Sequence, residues 1–491
     1  MRTMTASRIP CRQFLEQTAT VTRRDFMLTA AGFGALAISR SDGAQPDKSV
    51  TTTVRAASAS VKLTDDNMVE LHAQKKVFQQ PWEGEFRANA LVLDAQQRIC
   101  LVSLDSLIAP LRVTRAAAKR IAGATGIPED NILICATHTH RGPCAIDIFG
   151  AKPNMEFLRR LEEGSVQAAV KAVAAIGDAK SGDEATLLFG QSQEATVGRN
   201  SRLLLKDGSI GWYGYEEQDA VRPTGPYDPD LYVLAMRRPD GKYRGLAFNH
   251  SVHNIGRVRE DCMSPSFYGL AALEVERRHG ATALFLPGAF GSTHNITYNN
   301  RGVPAAECVR RVVGAVEEAL GRLQPALPGP VQVLNKPFTY HVRRFDEAKE
   351  SRAVKSYLEK YVPRNAPSQI EMFRKMREEM VPRQGEARQT RLQIIRLGDI
   401  VFVGIPGEMF ARLGLELRRR SPFRHTCIIG LANETIGYIP DRQAYADGGY
   451  QTWVGWHSML EVGTGEAMVN QVLAMLNELY DVAPPRRRGA S

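Results

Sequence analysis

The sequence predicts an α/β fold: a layered structure with a mixed β-sheet flanked by helices, and a metal site at strand ends. Three observations carry that expectation. From about residue 86 onward, short apolar runs alternate with longer segments of helical period. Several runs are joined by turn residues such as Lys206-Asp207-Gly208, Pro239-Asp240-Gly241 and Gly398-Asp399, which close antiparallel hairpins. Three apolar runs also stop at polar residues that packing does not explain, at His138, His253 and Glu408.

The elements follow in order. Ala88 to Leu93 and Ile99 to Asp105 read as paired strands around an Asp-Ala-Gln turn, and Val113 to Ala124 as a helix closed by Gly126 and Pro128. Ile132 to Thr137 is a buried strand. Met155 to Ile176 is a helix with Phe157, Leu161, Val166, Val170 and Val173 on one side. A strand is expected at Ala185 to Gln193, and hairpins join Leu203–Leu205 to Ile210–Trp212 and Leu231–Arg237 to Tyr243–Asn249. Helices at 266–278 and 304–323 bracket a strand at 282–286, and a further strand spans 331–342. Residues 346 to 390 are charged and read as a hairpin of helices. A strand hairpin over 392–405, a helix at 409–419, a strand at 426–432 and a helix at 463–479 complete the pattern. No internal repeat is visible.

Composition narrows the function. Of 491 residues, 43% are apolar and 24% charged, which excludes a disordered or fibrous chain. The net charge of +10 gathers in short arginine runs at 237–238, 343–344, 418–420 and 486–488, read as solvated surface and a basic tail. No nucleic-acid-binding motif accompanies it, so no nucleic-acid partner is expected. Seven cysteines without a Cys-x-x-Cys pair exclude a zinc ribbon and a disulfide-dense scaffold, and leave one or two disulfides open. Arg23-Arg24 precedes the apolar run Leu28–Ile38, which is too short to span a bilayer; residues 1–44 read as a twin-arginine export signal, giving a periplasmic or secreted protein. The alternative is an arginine pair before a buried helix. Residues 45–60 read as a linker, 61–482 as the catalytic domain and 483–491 as a disordered tail.

The candidate chemistry lies at the run ends. Ile132 to Thr137 leads into His138-Thr139-His140, with the two imidazoles at i and i+2 and so on one face of a continued strand. Gly245 to Asn249 leads into His250-Ser251-Val252-His253. Each pair is either metal-ligating or a hydrogen-bonded core pair. The chain has only ten histidines, four of them at these two ends, with His294 in a Gly-rich loop after a third. Ile400 to Ile405 ends in Pro406-Gly407-Glu408, a glutamate at a helix start that either ligates metal or complements the helix dipole. Two histidines and a glutamate suit a catalytic Zn²⁺ with one open position.

These motifs, in this order, resemble the neutral, non-lysosomal ceramidases and their short bacterial relatives. Ala136-Thr137-His138-Thr139-His140-Arg141-Gly142-Pro143 is similar to the family's Ala-Thr-His-Thr-His-Ser-Gly-Pro. Gly198 to Arg202 with Lys206-Asp207-Gly208, Asn249 to Asn254, Pro406-Gly407-Glu408, Gly437-Tyr438 and Gly448-Gly449-Tyr450 resemble further family segments, so the likeness runs from about residue 60 to 480. It implies a zinc amidase, with His138, His253, Glu408 and Tyr438 on the metal. It also implies His140 beside the ligands or on the oxyanion side, Tyr450 stabilising charge, and Asn200 and Arg202 lining the substrate pocket. Two departures stand out. The family's Gly-Asp-Val-Ser-Pro loop is replaced by Gly288-Ala289-Phe290-Gly291-Ser292-Thr293-His294, which makes Ser292 and His294 the catalytic candidates there, and the family's C-terminal immunoglobulin-like domain is expected to be missing. The implied substrate is a small-molecule or lipid N-acyl compound, with peripheral membrane contact and oligomeric state left open. Ester or lactone hydrolysis on the same fold, and a non-catalytic envelope protein binding lipid or glycan, are the alternatives.

Overall fold

Three of the four strand hairpins expected from the sequence are each the middle of a larger unit, and the unit is built three times. The computed structural model describes residues 53–64, 70–71, 77–78, 83–147, 152–176, 184–259, 262–295 and 304–481. The first unit contains β1 (Thr53–Lys62), β4 (Arg87–Asp94), β5 (Arg98–Leu104), α1 (Leu111–Thr125), β6 (Ile132–Ala136) and α2 (Met155–Ile176). A small antiparallel ladder, β2 (Glu70–Leu71) with β3 (Val77–Phe78), falls between β1 and β4 in the chain. β4 is antiparallel to both β1 and β5, and α1 carries the chain across so that β6 lies parallel to β5.

The second unit repeats that order with β7 (Glu184–Gln193), β11 (Asp230–Arg237), β12 (Tyr243–His250), α3 (Ser266–His279), β13 (Ala283–Pro287) and α4 (Ala305–Gly321). An excursion after β7 contributes β8 (Gly198–Asn200), β9 (Leu203–Leu205) and β10 (Ala220–Pro223); β14 (Thr293–Asn295) pairs with β8, and β15 (Gln324–Pro325) with β7. The third unit has β16 (Val331–His341), β17 (Ala387–Leu397), β18 (Ile400–Gly404), α7 (Ala411–Arg420), β20 (His425–Ile429) and α9 (Thr464–Asp481). Its excursion after β16 is the helix pair α5 (Glu347–Tyr361) and α6 (Ala366–Met380). Between the main elements lie β19 (Glu408–Met409), β21 (Tyr438–Ile439) and α8 (Arg442–Asp447).

Units one and two share one mixed sheet, ordered β13-β12-β11-β7-β1-β4-β5-β6 with β15 on β7; unit three forms its own sheet, β16-β17-β18-β20. The sheets are buried on both faces, which is why β4, β5, β6 and β18 read as nearly unbroken apolar runs. Outward, each unit is covered by its own helix pair: α1 and α2, α3 and α4, α7 and α9. Inward, all three contribute to one shared core, with Leu101 and Leu133 from the first, Leu234 and Leu284 from the second, and Ile395 and Phe402 from the third. β13 lies against β4, β5 and β6, where Ser103 Oγ donates to Phe285 O at 2.6 Å. In every unit the first, third and fourth strands run the same way. The C-terminal ends of β5, β6, β12, β13, β18 and β20, and both described excursions, therefore leave from corresponding ends of their units.

Several expectations change. Residues 53–60, read as linker, are part of β1 in the middle of the large sheet. Small residues at Ala57 and Ala59 let α2 pack close, Ala56 faces the inner core, and small residues carry too little apolar signal to announce a strand. The helical hairpin ends at Met380, and Ala387–Thr390 already belong to β17. Leu203–Leu205 does not form a ladder with Ile210–Trp212: a single bridge joins Leu204 to Ile210, and β10 takes the ladder position on β9. Glu408 precedes the helix start by three residues and sits in β19. Topology, not sequence, carries the threefold repeat. The six described cysteines are free and buried. The export segment, residues 45–52 of the linker, and the tail lie outside the described residues.

The shared inner core should dominate stability. Phe402→Ala, at 2% exposure between the sheets, is expected to lower the unfolding free energy by about 3–5 kcal/mol in urea titrations, whereas Val221→Ala, at 57% exposure, should change it by less than about 0.5 kcal/mol.

Candidate metal centre

The first ligand loop leaves β6 at Ala136, so the strand pleat does not orient the histidines that follow. Instead His138 adopts φ 61°, a left-handed conformation uncommon outside glycine. Its Nδ1 lies 2.9 Å from Leu107 O, in the segment after β5. A carbonyl can only accept, so Nδ1 carries the proton and the Nε2 lone pair is left facing inward. His253, three residues past β12, is held the same way, with Nδ1 2.7 Å from Thr293 O and 3.1 Å from Phe290 O. A backbone carbonyl fixing the tautomer and orientation of an imidazole is the usual support of a metal-bound histidine.

Glu408 enters from the third unit through a two-residue parallel ladder. β19 pairs with β21 so that Glu408 stands in register with Tyr438. Its Oε2 lies 3.2 Å from His253 Nε2 and 3.7 Å from His138 Nε2. His140 Nε2 is 3.1 Å from His138 Nε2, and the ring nitrogens of His138, His140 and His253 all fall within 4.8 Å of one another. Two ligand atoms about 2.0–2.1 Å from a tetrahedral Zn²⁺ are separated by about 3.3 Å, which the 3.2 Å Glu408–His253 and 3.7 Å Glu408–His138 spacings approach. The Tyr438 ring centroid is 6.3 Å from that of His253.

Two atoms give the sharper test of fit. His253 Nε2 and Glu408 Oε2 are buried and make no hydrogen bond, although they are neighbours. A buried polar atom left unpaired costs about 1–3 kcal/mol, and two adjacent lone-pair bearers repel. A cation satisfies both. Protonation states agree: burial pushes His138 down to about 4 despite the nearby Glu408 carboxylate, so it is neutral at pH 7. Burial alone would raise the Glu408 carboxyl, but His138 and His253 hold it below the usual carboxylate range. His138, His253 and Glu408, with His140 beside them, thus form a donor set of the kind zinc takes.

The other sequence candidates divide. Tyr450 is stacked between Trp212, at 4.1 Å, and His457, at 4.9 Å, and its ring is 6.0 Å from that of Tyr438. His294 is not in an open loop: it lies in β14 opposite Arg199, and its ring stacks on His253 at 4.2 Å. Ser292 Oγ accepts the Ala411 N–H at 3.0 Å at the start of α7, a helix-end hydrogen bond. Asn200 and Arg202 border a recess with Ser292; Asn200 and the Arg202 Nη atoms bond within the protein, while Arg202 Nε is buried without a hydrogen bond. Asn200 donates to Pro226 O and accepts from Arg202 N–H. Arg202, 1% exposed, donates to Gln451 Oε1, Ala444 O and Gly448 O, clamping the segment that carries Tyr450. His250 is a core histidine, with Nδ1 2.6 Å from Tyr268 OH and Nε2 3.1 Å from Glu194 O.

Sequence reasoning missed His457 and Asp105. The backbone carbonyl of His457 accepts the Tyr438 N–H at 2.8 Å, and its Nε2 lies 3.2 Å from Tyr450 O, so it supports both tyrosines. It lies among the aromatic residues Trp453 and Trp456, so its local sequence resembles ordinary core packing. Asp105 directly follows β5, accepting from Arg87 N–H at 2.9 Å and from the hydroxyl of Thr137, the residue before His138, at 3.2 Å. Nothing in its local sequence marks it as buried.

No family model and no curated protein sequence matches the chain. Among solved structures, it is similar to the neutral ceramidase from Pseudomonas aeruginosa, with a TM-score of 0.65 at 17% identity over 90% of this chain and 76% of that one. A ceramidase complexed with C2 matches with the same TM-score and identity over 90% and 77%. At this identity the likeness is one of fold.

Two outcomes test the centre. Burial pushes the Asp105 carboxyl up to about 6, Arg87 opposing it only in part. The folded state therefore holds a proton that the unfolded chain has released, and stability should fall as pH rises from about 4 to 6 and level off above. Asp105→Asn should remove that slope from the pH dependence of urea unfolding. A Cβ at Gly291 would lie 2.1 Å from the Glu408 carbonyl oxygen, so Gly291→Ala should push the Glu408 backbone outward. Zinc retained after dialysis, read by elemental mass spectrometry, should fall below the wild-type ratio.

Proposed function

We propose that this chain is an exported zinc-dependent hydrolase that cleaves an N-acyl, ceramide-like amide bond. The observation that carries the reading is the convergence of His138 Nε2, His253 Nε2 and Glu408 Oε2, from three separate units, with two of those atoms buried and unpaired. The shared fold of the two ceramidase structures supports the choice of an amide over other carbonyl substrates. Arg23-Arg24 before its apolar run supports export.

His138, His253 and Glu408 would hold the ion, with Tyr438 in register beside Glu408. A bound zinc ion supplies a Lewis acid that polarises a carbonyl and brings the pKa of water close to 7. His140, less buried than His138 and His253, stands next to that donor set, where it can hold or pass a proton. Tyr450, fixed face to face between Trp212 and His457, is the donor for charge developing on the substrate oxygen. Trp212 and Trp453 beside it form an apolar wall suited to an acyl chain. No helix among the described residues is long and apolar enough to cross a membrane, so the proposal has a lipid substrate approached from the aqueous side.

The test is metal analysis of purified protein together with turnover of N-acyl-sphingosine, simpler N-acyl amines and matched esters and lactones. The wild type should bind one zinc and prefer amides. His138→Ala and Glu408→Gln should lose the metal and at least about 10³-fold in kcat/KM, while His279→Ala, paired with Glu317 away from the centre, should keep both. Full activity in metal-stripped protein would end the proposal, and preference for an ester or lactone would replace its substrate.

A further inference from the structure

His138 and His253 belong to different units, so something must set the distance between their loops. Asn254 directly follows His253 and is fully buried. Its Nδ2 donates both to Thr137 O, the residue before His138, and to Pro265 O, each at 3.1 Å. Its Oδ1 accepts the Tyr268 N–H at 3.2 Å. One side chain thus spans both histidine loops and the first turn of α3. The residues entering that turn hold the first loop as well: Thr139, between His138 and His140, donates to Ser264 O at 2.7 Å and lies 2.9 Å from Ser266 Oγ, and Ser264 N–H donates to Arg141 O at 3.0 Å. Ser266, at the start of α3, has φ 61°, the left-handed conformation also found at His138. Resting on the metal-centre reading above, we infer that Asn254 is a positioning residue that fixes the separation of His138 and His253. The α3 first turn is the anchor for both loops.

The geometry leaves Asn254 no contact of its own with the donor set; it acts through the backbone on either side of it. Such outer supports typically change metal affinity by 10- to 100-fold. The experiment measures the Zn²⁺ dissociation constant of the whole chain by competition with a chromogenic chelator. Asn254→Ala removes every bond. Asn254→Asp keeps the size and the acceptor for Tyr268 N–H but removes both donors, and serves where the alanine variant does not fold. Asn131→Ala is the control, because Asn131 is similarly buried and donates to Gln97 Oε1 and Arg98 O, away from the centre. The Asn254 variants should bind zinc at least tenfold more weakly while the control keeps the wild-type constant. An Asn254 variant that is folded and binds zinc within twofold of wild type overturns the inference, as does an equal loss in the control. A wild type that binds no zinc overturns the proposed function as well, which separates the two failures.

Discussion

The structure turns on a desolvation problem. His253 Nε2 and Glu408 Oε2 are shut away from water 3.2 Å apart, and neither makes a hydrogen bond. A folded protein tolerates such a pair when a cation takes both lone pairs. Everything around the pair is arranged to keep it in place: carbonyls pin the far nitrogens of His138 and His253, a strand register pins Glu408, and the packing of three units holds those pins together. The energy of the inner core is spent on bringing donors from distant parts of the chain to one point.

The threefold repetition explains how residues so far apart in sequence meet. In each unit the third strand is followed by a helix and a parallel fourth strand, so each unit offers two loops at one end. The first unit uses the loop after its fourth strand for His138 and the carbonyl of Leu107, after its third strand, to orient it. The second uses the loop after its third strand for His253 and the carbonyls after its fourth for the same purpose. The third places Glu408 after its third strand and Tyr438 after its fourth, and the two pair directly. The units do the same structural work with different residues, so no sequence repeat announces them.

What was legible in the sequence follows from this. Strands buried on both faces and helices with one apolar side carry strong local signals, and the hairpins at Ala88–Asp105, Leu231–Asn249 and Leu392–Ile405 were recovered with their turns. Ligand loops were legible because histidines stand out at the ends of apolar runs. β1 was not, because its Ala and Ser residues carry little apolar signal, and Ala57 and Ala59 are small where α2 packs. Asn200, Arg202 and Ser292 looked like site residues because of their chemistry and order. The structure adds what their order could not show: each also bonds backbone, Asn200 to Pro226 O, Arg202 to Ala444 O and Ser292 to Ala411 N–H. Supporting carbonyls leave no trace in a sequence at all.

The excursions of units two and three lean on each other through Leu203, Tyr215, Tyr357, Leu358 and Phe373, and Tyr450 and Trp453 are packed beneath them. His138 and Glu408 hang from other strand ends, whereas residues 198–212 pair with β14, clamp the Tyr450 segment through Arg202 and stack on Tyr450 through Trp212. Changes in the length or composition of the helix pair over residues 347–380 can therefore accumulate without moving His138, His253 or Glu408. Two chains with little sequence in common could keep one reactive centre under caps shaped for unrelated compounds.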